Sequence, residues 1–563
     1  MNKFIVIHNN NINTNFFEPI GNRKIFDSNN DIDGYISTEI IPDIKKRDLE
    51  IIFIKDNLST NYMELIGLRV AYHIRLSQEL EDKRFLPIVI LSDLDSHILN
   101  KLDPIAKILF TKNVYIIKNT EDEIEKIRKK KFQKLTSLEY QEKFLDLIGI
   151  EPPKDYLSHH GIANEWSIYK WASTLNVKSD AIDINNNKIS SLLYFKYLAQ
   201  LHSIVNNEEQ GKQELQEKGN ILYIDDEWDK GWSDILTKLT DNSNIDFNTF
   251  KYDYKDINKF KLIRDIEKEI KNINPDVVIL DLRLTKTDHS DIEINQLTGI
   301  KLINIIYEIN PGIQVIMLTA TTRSTILEKL YEHGILGYIK KEHPDDTSIS
   351  TVENINKLIG LVNKGCERRY LKEIWTAHKR IKFRLLEDPF SQYITDGKEY
   401  ETNLVKLIKE SEYIFDILNS TKENKFNYAL ISLATSLDAL QSIFISDYFD
   451  RNTRTKDYYY LGSLITEIGI NSLPMQIAFI IRKSGHNTSL EYKKELKELN
   501  NSRNMYIHSN SEYKLVNADD ILKWFNLLDN VIKKIQNPKI NKVRPQKQLG
   551  SINGLESLIE KMK

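Results

Sequence analysis

Between residues 219 and 345, short apolar runs alternate with longer stretches whose apolar positions recur every three or four residues. The runs are Ile221–Ile224, Val277–Leu280, Val315–Leu318 and Leu336–Ile339, and the stretches between them include Phe260–Ile273 and Ile300–Ile309. Continuous Val/Ile/Leu runs closed by polar residues suit strands buried on both faces. Strand and helix in turn predict a doubly wound parallel sheet. Residues 1–120 repeat the order in weaker form. Phe4–Ile7 matches the first strand, Leu49–Ile54 the third, Pro87–Leu91 the fourth and Asn113–Ile117 the fifth. This reads as a duplication of one α/β unit.

Residues 121–205 carry mostly helical patterns, and Asn206–Asn220 is polar like a linker. After residue 350 the strand signals fade. Val352, Ile355, Ile359 and Val362 fall at helical spacing, which predicts a helix running on through Trp375 to Leu386. From Glu401 to Ile535 the patterns are long and helical, with Ile521, Phe525, Leu528, Ile532 and Ile535 forming a core-facing stripe. Pro538 and Pro545 break the pattern before a basic tail and a short amphipathic end, Leu555–Met562. The expected division is an α/β domain at 1–120, a helical connector at 121–218, a second α/β domain at 219–350, a linking helix at 351–390, a helical domain at 391–540 and a tail at 541–563.

Composition narrows the class. At roughly 150 residues per domain, 563 residues make about four domains, and 41% hydrophobic content excludes wholesale disorder. Lys and Arg number 78 against 81 Asp and Glu, so no uniform basic field surrounds the chain. The single cysteine, Cys366, excludes an internal disulfide, and the chain is expected to be cytosolic. No apolar run reaches the ~18–20 residues of a membrane span, and the N-terminus lacks a signal-peptide pattern.

The residues at the predicted strand ends carry chemistry. Asp225 and Asp226 follow the first strand, Asp281 the third, Thr319 ends the fourth, and Lys341 follows the fifth. In an open parallel sheet these ends face one crevice. Three crowded carboxylates call for a hard divalent cation with oxygen ligands, and Mg²⁺ suits them. Lys341 and the Thr319 hydroxyl are placed to hold phosphate oxygens.

This pattern resembles the receiver domain of bacterial response regulators over about 125 residues. The resemblance makes Asp281 the phosphoacceptor, Asp225 and Asp226 the Mg²⁺-holding pair, Thr319 and Lys341 the phosphate sensors, and Tyr338 the aromatic residue that swings on activation. It implies a flavodoxin-like fold and a partner histidine kinase. Two features depart from the family. Glu342 stands where Pro is usual, and the loop after Asp281 is long, with Asp288, His289, Asp291 and Glu293 available to cover the site.

In the first copy, His8 and Asn9 replace the acidic pair, and Lys55 aligns with Asp281, with Asp56 one register step away. Ser92 stands at the Thr319 position, and Tyr115 and Lys118 echo Tyr338 and Lys341. A lysine cannot form an acyl phosphate, so this copy reads as a degenerate receiver used for packing, dimerisation or recognition. In the connector, Arg128–Lys131 reads as a solvated helix face. The adjacent His159 and His160 point apart on any regular element and read as a helix start or interface.

A second constellation, Arg503-Asn504-Met-Tyr-Ile-His508, lies near the end of a helical stretch. Histidine can serve as general acid or base near neutral pH, and arginine can stabilise a phosphate's developing charge. The pattern resembles the motif of HEPN domains, all-α bundles whose ribonuclease members cut RNA without metal and commonly dimerise. The resemblance implies that Arg503, Asn504 and His508 are catalytic, with the RNA's own 2′-hydroxyl as nucleophile. The competing reading pairs Arg503 with a helix carboxylate in a non-catalytic binding module. The whole is expected to be a receiver-controlled effector, acting on RNA in phage defence or stress, or a regulator built from interaction modules.

Overall fold

The computed structural model describes residues 3–17, 31–59, 61, 64–152, 159–201, 213–254, 257–289, 293–321, 324–344, 350–387, 390, 397–451, 454–467, 469–507 and 516–538. Strands β1 (Phe4–Ile7), β2 (Ile51–Lys55), β3 (Ile88–Leu91) and β4 (Val114–Ile117) form a parallel sheet in the order β1-β2-β3-β4. A second parallel sheet holds β5 (Gly219–Ile224), β6 (Ile245–Thr249), β7 (Val277–Leu280), β8 (Gln314–Thr319) and β9 (Gly337–Lys340), in the order β6-β5-β7-β8-β9. The central strands β2, β3, β7 and β8 are buried throughout, as their unbroken apolar runs require. Strand β6 has no such run. Its Ile245 and Phe247 alternate with Asp246 and Asn248, the pattern of an edge strand, and the search for continuous runs passes over it. The first sheet has no counterpart of β6 among the described residues.

The longer helices follow in chain order. The first domain contributes α1 (Ile66–Leu76) and α2 (Glu121–Lys129). The connector holds α3 (His159–Leu175), α4 (Asp180–Ser191) and α5 (Leu193–Leu201). The second domain adds α6 (Trp232–Thr240), α7 (Lys259–Ile273), α8 (Thr298–Ile309) and α9 (Ser324–Glu332). The connector divides its packing. Ile168, Trp171 and Ile182 of α3 and α4 enter the core of the second sheet, whereas Leu193 of α5 enters the core of the first.

Helix α10 (Thr351–Glu367) starts at a capping box between Ser350 and Glu353 and lays Ile355, Ile359 and Val362 on the second sheet. It approaches so closely that a Cβ on Gly365 would lie 2.7 Å from Val277, and a Cβ on Gly219 would lie 2.5 Å from the buried Cys366 sulfur. The helix expected to run on to Leu386 instead breaks at Arg368–Arg369, where the amides of Leu371 and Lys372 bond three residues back. Helix α11 (Tyr370–Glu387) then leaves the sheet. Its Ile374, Ile381 and Leu385 share a core with α12 (Gly397–Asn419), α13 (Lys425–Phe444), α14 (Leu473–Lys483), α15 (Leu490–Ile507) and α16 (Ala518–Gln536). The predicted stripe from Ile521 to Ile535 is fully buried in that core.

The C-terminal region is not all-α. An antiparallel sheet of β10 (Ile445–Asp450), β11 (Thr455–Tyr460) and β12 (Ser463–Leu464) sits between α13 and α14. Aromatic residues at Tyr448, Phe449 and Tyr458–Tyr460 favour a pleated ribbon over a helix. No helix among the described residues is long and apolar enough to cross a membrane.

Candidate functional site

The register of the second sheet assembles the predicted pocket. Leu280 of β7 pairs with Ile224 of β5, so the residues that follow them, Asp281 and Asp225, are neighbours. Thr319 ends β8 opposite Lys340 of β9, which sets Lys341 beside it. Five of the six predicted residues, Asp225, Asp226, Asp281, Thr319 and Lys341, thus gather at the carboxyl ends of the strands.

Lys341 is buried, with Nζ 3.1 Å from Asp225 Oδ2 and 3.6 Å from Asp281 Oδ1. The second oxygen of Asp281 accepts the Arg283 amide at 2.8 Å, and Asp225 Oδ1 accepts the Glu227 amide at 2.8 Å. Burial pushes the carboxyls of Asp226 and Asp281 up, and repulsion from Asp225 adds to it; Lys341 opposes the rise at both. Burial pulls Lys341 down, yet Asp225 and Asp281 outweigh it and hold the ammonium above its ordinary value. The pocket is short of positive charge. Its donors are hard carboxylate oxygens, the set that fits Mg²⁺. Among the described residues no group of three or more His, Cys, Asp or Glu is arranged to hold a metal ion, and the Lys341 ammonium lies between Asp225 and Asp281.

Thr319 is buried, and its hydroxyl accepts the Thr321 amide at 3.2 Å. Tyr338 stands apart from the pocket, in edge contact with Tyr331 at 5.8 Å and beneath the Lys357 ammonium at 4.4 Å. One described residue of the long loop, Asp288, turns inward. Asp288 is fully buried and accepts the amides of Leu284, Thr285 and Thr298 and the Lys259 ammonium. It is a loop staple. His289 is exposed, Glu293 precedes a short turn of helix, and Asp291 lies outside the described residues.

Two acidic residues that the motif did not single out adjoin the site. Glu227 hydrogen-bonds Asn164 of α3, and Asn164 in turn accepts the Trp232 indole N–H at 2.6 Å. Glu342, in the place of the usual proline, is half-buried, and its carboxyl is pushed up by that burial. It accepts the Trp171 indole N–H at 2.9 Å and the Thr351 hydroxyl at 2.8 Å. The described part of α3 begins at His159, and the side chains of His159 and His160 lie outside the described residues.

The first sheet repeats the frame without the acids. Ile54 pairs with Ile7 as Leu280 pairs with Ile224, so Lys55 occupies the position of Asp281 and His8 that of Asp225. The His8 ring accepts the Asn10 amide, as Asp225 accepts that of Glu227. Lys55 is buried and ion-paired to Asp56 at 3.0 Å, and Asp56 accepts the Ser92 hydroxyl at 2.5 Å. Both expected echoes shift by a residue, and Tyr115, opposite Val89, stands at the position of Gly337 rather than Tyr338. Leu91 pairs with Ile117, which puts Lys118 at the position of Lys340 and Asn119 at that of Lys341. Lys118 is accordingly exposed.

In the C-terminal region Arg503 and Asn504 lie near the C-terminal end of α15. Asn504 is exposed. Arg503 is partly buried with Nη2 3.6 Å from Asp438 Oδ2 of α13, the carboxylate partner of the competing reading. His508 lies outside the described residues.

The family model described as Inactive Receiver domain matches residues 2–117, and that described as Response regulator receiver domain matches residues 243–353. The second match begins after β5, so Asp225 and Asp226 stand ahead of it. Three solved structures are similar. One is a signal receiver domain from Vibrio parahaemolyticus, at 18% identity over 27% of this chain and 94% of that one, with a TM-score of 0.20. Another is a LuxR-family two-component response regulator from Aurantimonas sp. SI85-9A1, at 17%, 26% and 86%, with a TM-score of 0.19. The third is NtrX from Brucella abortus in complex with ADP, at 12%, 54% and 85%, with a TM-score of 0.23. No curated protein matches the chain. The chain carries two receiver domains, an inactive one first, and a helical C-terminal region.

Proposed function

We propose that the chain is a phosphorylation-regulated signalling protein in which Asp281 takes a phosphoryl group from a partner histidine kinase. The observation that carries this reading is the gathering of Asp225, Asp226, Asp281, Thr319 and Lys341 at one sheet end, with two carboxyls pushed up by burial and by repulsion from Asp225. Asp281 Oδ2 is held by the Arg283 amide, which leaves Oδ1, beside Lys341, as the attacking oxygen. It bonds to phosphorus as the donor's phosphorus–nitrogen bond breaks and its electron pair leaves with the imidazole. Lys341 then exchanges its hold on a carboxylate for a phosphoryl oxygen, and the Thr319 hydroxyl donates to another. Asp225, Asp226 and Asp281 would hold Mg²⁺, which when bound neutralises charge on the phosphoryl group.

The test is phosphorylation of the full chain by acetyl phosphate with Mg²⁺, read on a phosphate-affinity gel. Wild type shifts and Asp281→Asn does not. A shift that persists in Asp281→Asn sinks the assignment.

A second reading gives the C-terminal region RNA cleavage as a HEPN-like homodimer, with Arg503, Asn504 and His508 catalytic. The exposure of Asn504 and the partial exposure of Arg503 at a helix end favour it, since a phosphate can reach both. The Arg503–Asp438 pair favours the binding-module alternative. Cleavage of RNA by the phosphorylated chain that survives His508→Ala removes the nuclease assignment.

A further inference from the structure

The acidic pocket is gripped from outside by the connector. Asn164, Ser167 and Trp171 of α3 are spaced at i, i+3 and i+7 and so lie along one face of the helix. All three are buried. Asn164 donates to Glu227, the residue after Asp226. Ser167 donates to the Glu342 carbonyl at 3.1 Å, and Trp171 to the Glu342 carboxyl at 2.9 Å. Glu342 directly follows Lys341. One helix face thus holds both loops that carry the pocket's charges, the acidic pair on one side and the sensing lysine on the other. The Trp171 ring also meets Trp232 edge-on at 5.3 Å, and the Lys341 ammonium lies 5.7 Å from the Trp232 ring.

The same connector is fastened at its far end to the inactive receiver. The Leu193 amide, at the start of α5, donates to Asp33 at 2.9 Å. Lys196, on the same helix, donates to Ser37, Ser77 and the His73 ring at 3.0, 2.9 and 3.3 Å.

We propose that α3 is a second output of the pocket: the Asn164–Ser167–Trp171 face positions the Glu227 and Lys341 loops and carries their displacement through α4 and α5 to the inactive receiver domain. This rests on the reading of Asp281 as phosphoacceptor. Consecutive Cα atoms are ~3.8 Å apart, so any shift of the Lys341 backbone on taking up a phosphoryl oxygen is passed directly to Glu342. Glu342 in turn bonds two helices, Trp171 of α3 and Thr351 at the start of α10. The usual proline has no side-chain acceptor and could make neither contact, so this coupling belongs to the glutamate.

Hydrogen–deuterium exchange on the full chain tests it, with Mg²⁺ and beryllofluoride as the phosphoryl mimic. Loading is expected to change amide exchange several-fold in peptides from α3 and from the start of α10. In Asn164→Ala and in Trp171→Phe, which keeps an aromatic ring and loses the N–H donor with the rest of the pyrrole ring, the α3 response falls while that of α10 persists. A response in α10 with none in α3 of the wild type overturns the coupling and leaves the phosphoacceptor reading standing. No response in either, with no gel shift by acetyl phosphate, overturns both.

Discussion

Lys55 and Asp281 occupy one position in two sheets: each follows the residue that pairs with the last residue of its domain's first strand, Ile54 with Ile7 and Leu280 with Ile224. A glycine approaches each from the next helix. Gly67 donates its amide to the Asp56 carbonyl and Gly299 to the Leu282 carbonyl, one residue beyond in both cases. The frame is conserved between the copies while the charge at its centre is inverted.

That inversion predicts an asymmetric response to substitution. Lys55 supplies the buried counter-charge of Asp56 at 3.0 Å. Lys55→Met strands that carboxylate and is expected to cost about 3–5 kcal/mol, read as a lowered midpoint of urea unfolding. Lys55→Asp is not expected to gain phosphorylation, because His8 and Asn9 stand where the acidic pair is needed.

In the second domain the sign is opposite. Asp226 and Asp281 are pushed above the ordinary carboxylate value, chiefly by burial and then by Asp225. An acid raised in the fold ionises more readily in the unfolded chain, so these groups cost stability increasingly as pH rises from about 4. Asp226→Asn is therefore expected to raise the melting temperature at pH 7 in EDTA. Added Mg²⁺ is expected to stabilise wild type by ligand linkage and the variant less. A variant melting below wild type in EDTA contradicts the charge argument.

The seam between the first domain and the connector should titrate. His73 is fully buried, and burial outweighs its hydrogen bond to Asp33 and holds the ring down at about 4. A histidine lowered in the fold binds its proton first in the unfolded chain. Stability is thus complete above about pH 6.5 and declines as pH falls toward 4. The expected loss approaches about 3 kcal/mol, and His73→Gln should flatten the unfolding midpoint over this window.

The two glycines offer a graded test of the frame. A Cβ on Gly67 would lie 1.9 Å from the Lys55 carbonyl oxygen, and one on Gly299 would lie 2.8 Å from that of Asp281. Both obstacles are backbone, so the chain must shift. Gly67→Ala is expected to destabilise its domain more than Gly299→Ala does, and Gly299→Ala to slow Asp281 phosphorylation. Thermal melts and gel-shift rates check the two expectations.

The central strands and the strand-end acids were legible because each signal is local. An unbroken Val/Ile/Leu run needs burial on both faces, and a polar residue closing it must sit at the sheet end. Strand β6 was hidden because an edge strand shows only weak alternation, and the β10–β12 ribbon because its aromatic and polar residues form no continuous Val/Ile/Leu run. The Lys118 echo slipped because one residue of register reverses a strand's side chains. The role of Glu342 depends on a partner far away in sequence, and no spacing rule reaches Trp171 from Glu342. The break at Arg368–Arg369 was invisible because apolar spacing continues across it while the helix changes cores.

The burial of Cys366 gives the molecule a native reporter. It is the one cysteine of the chain, it lies on the inner face of α10, and burial together with Asp276 pushes its thiol up to about 12. A maleimide can reach the sulfur only when α10 lifts from β5, where Gly219 abuts it. The rate of alkylation therefore times the opening of that seam, with no engineered label and no competing thiol to subtract.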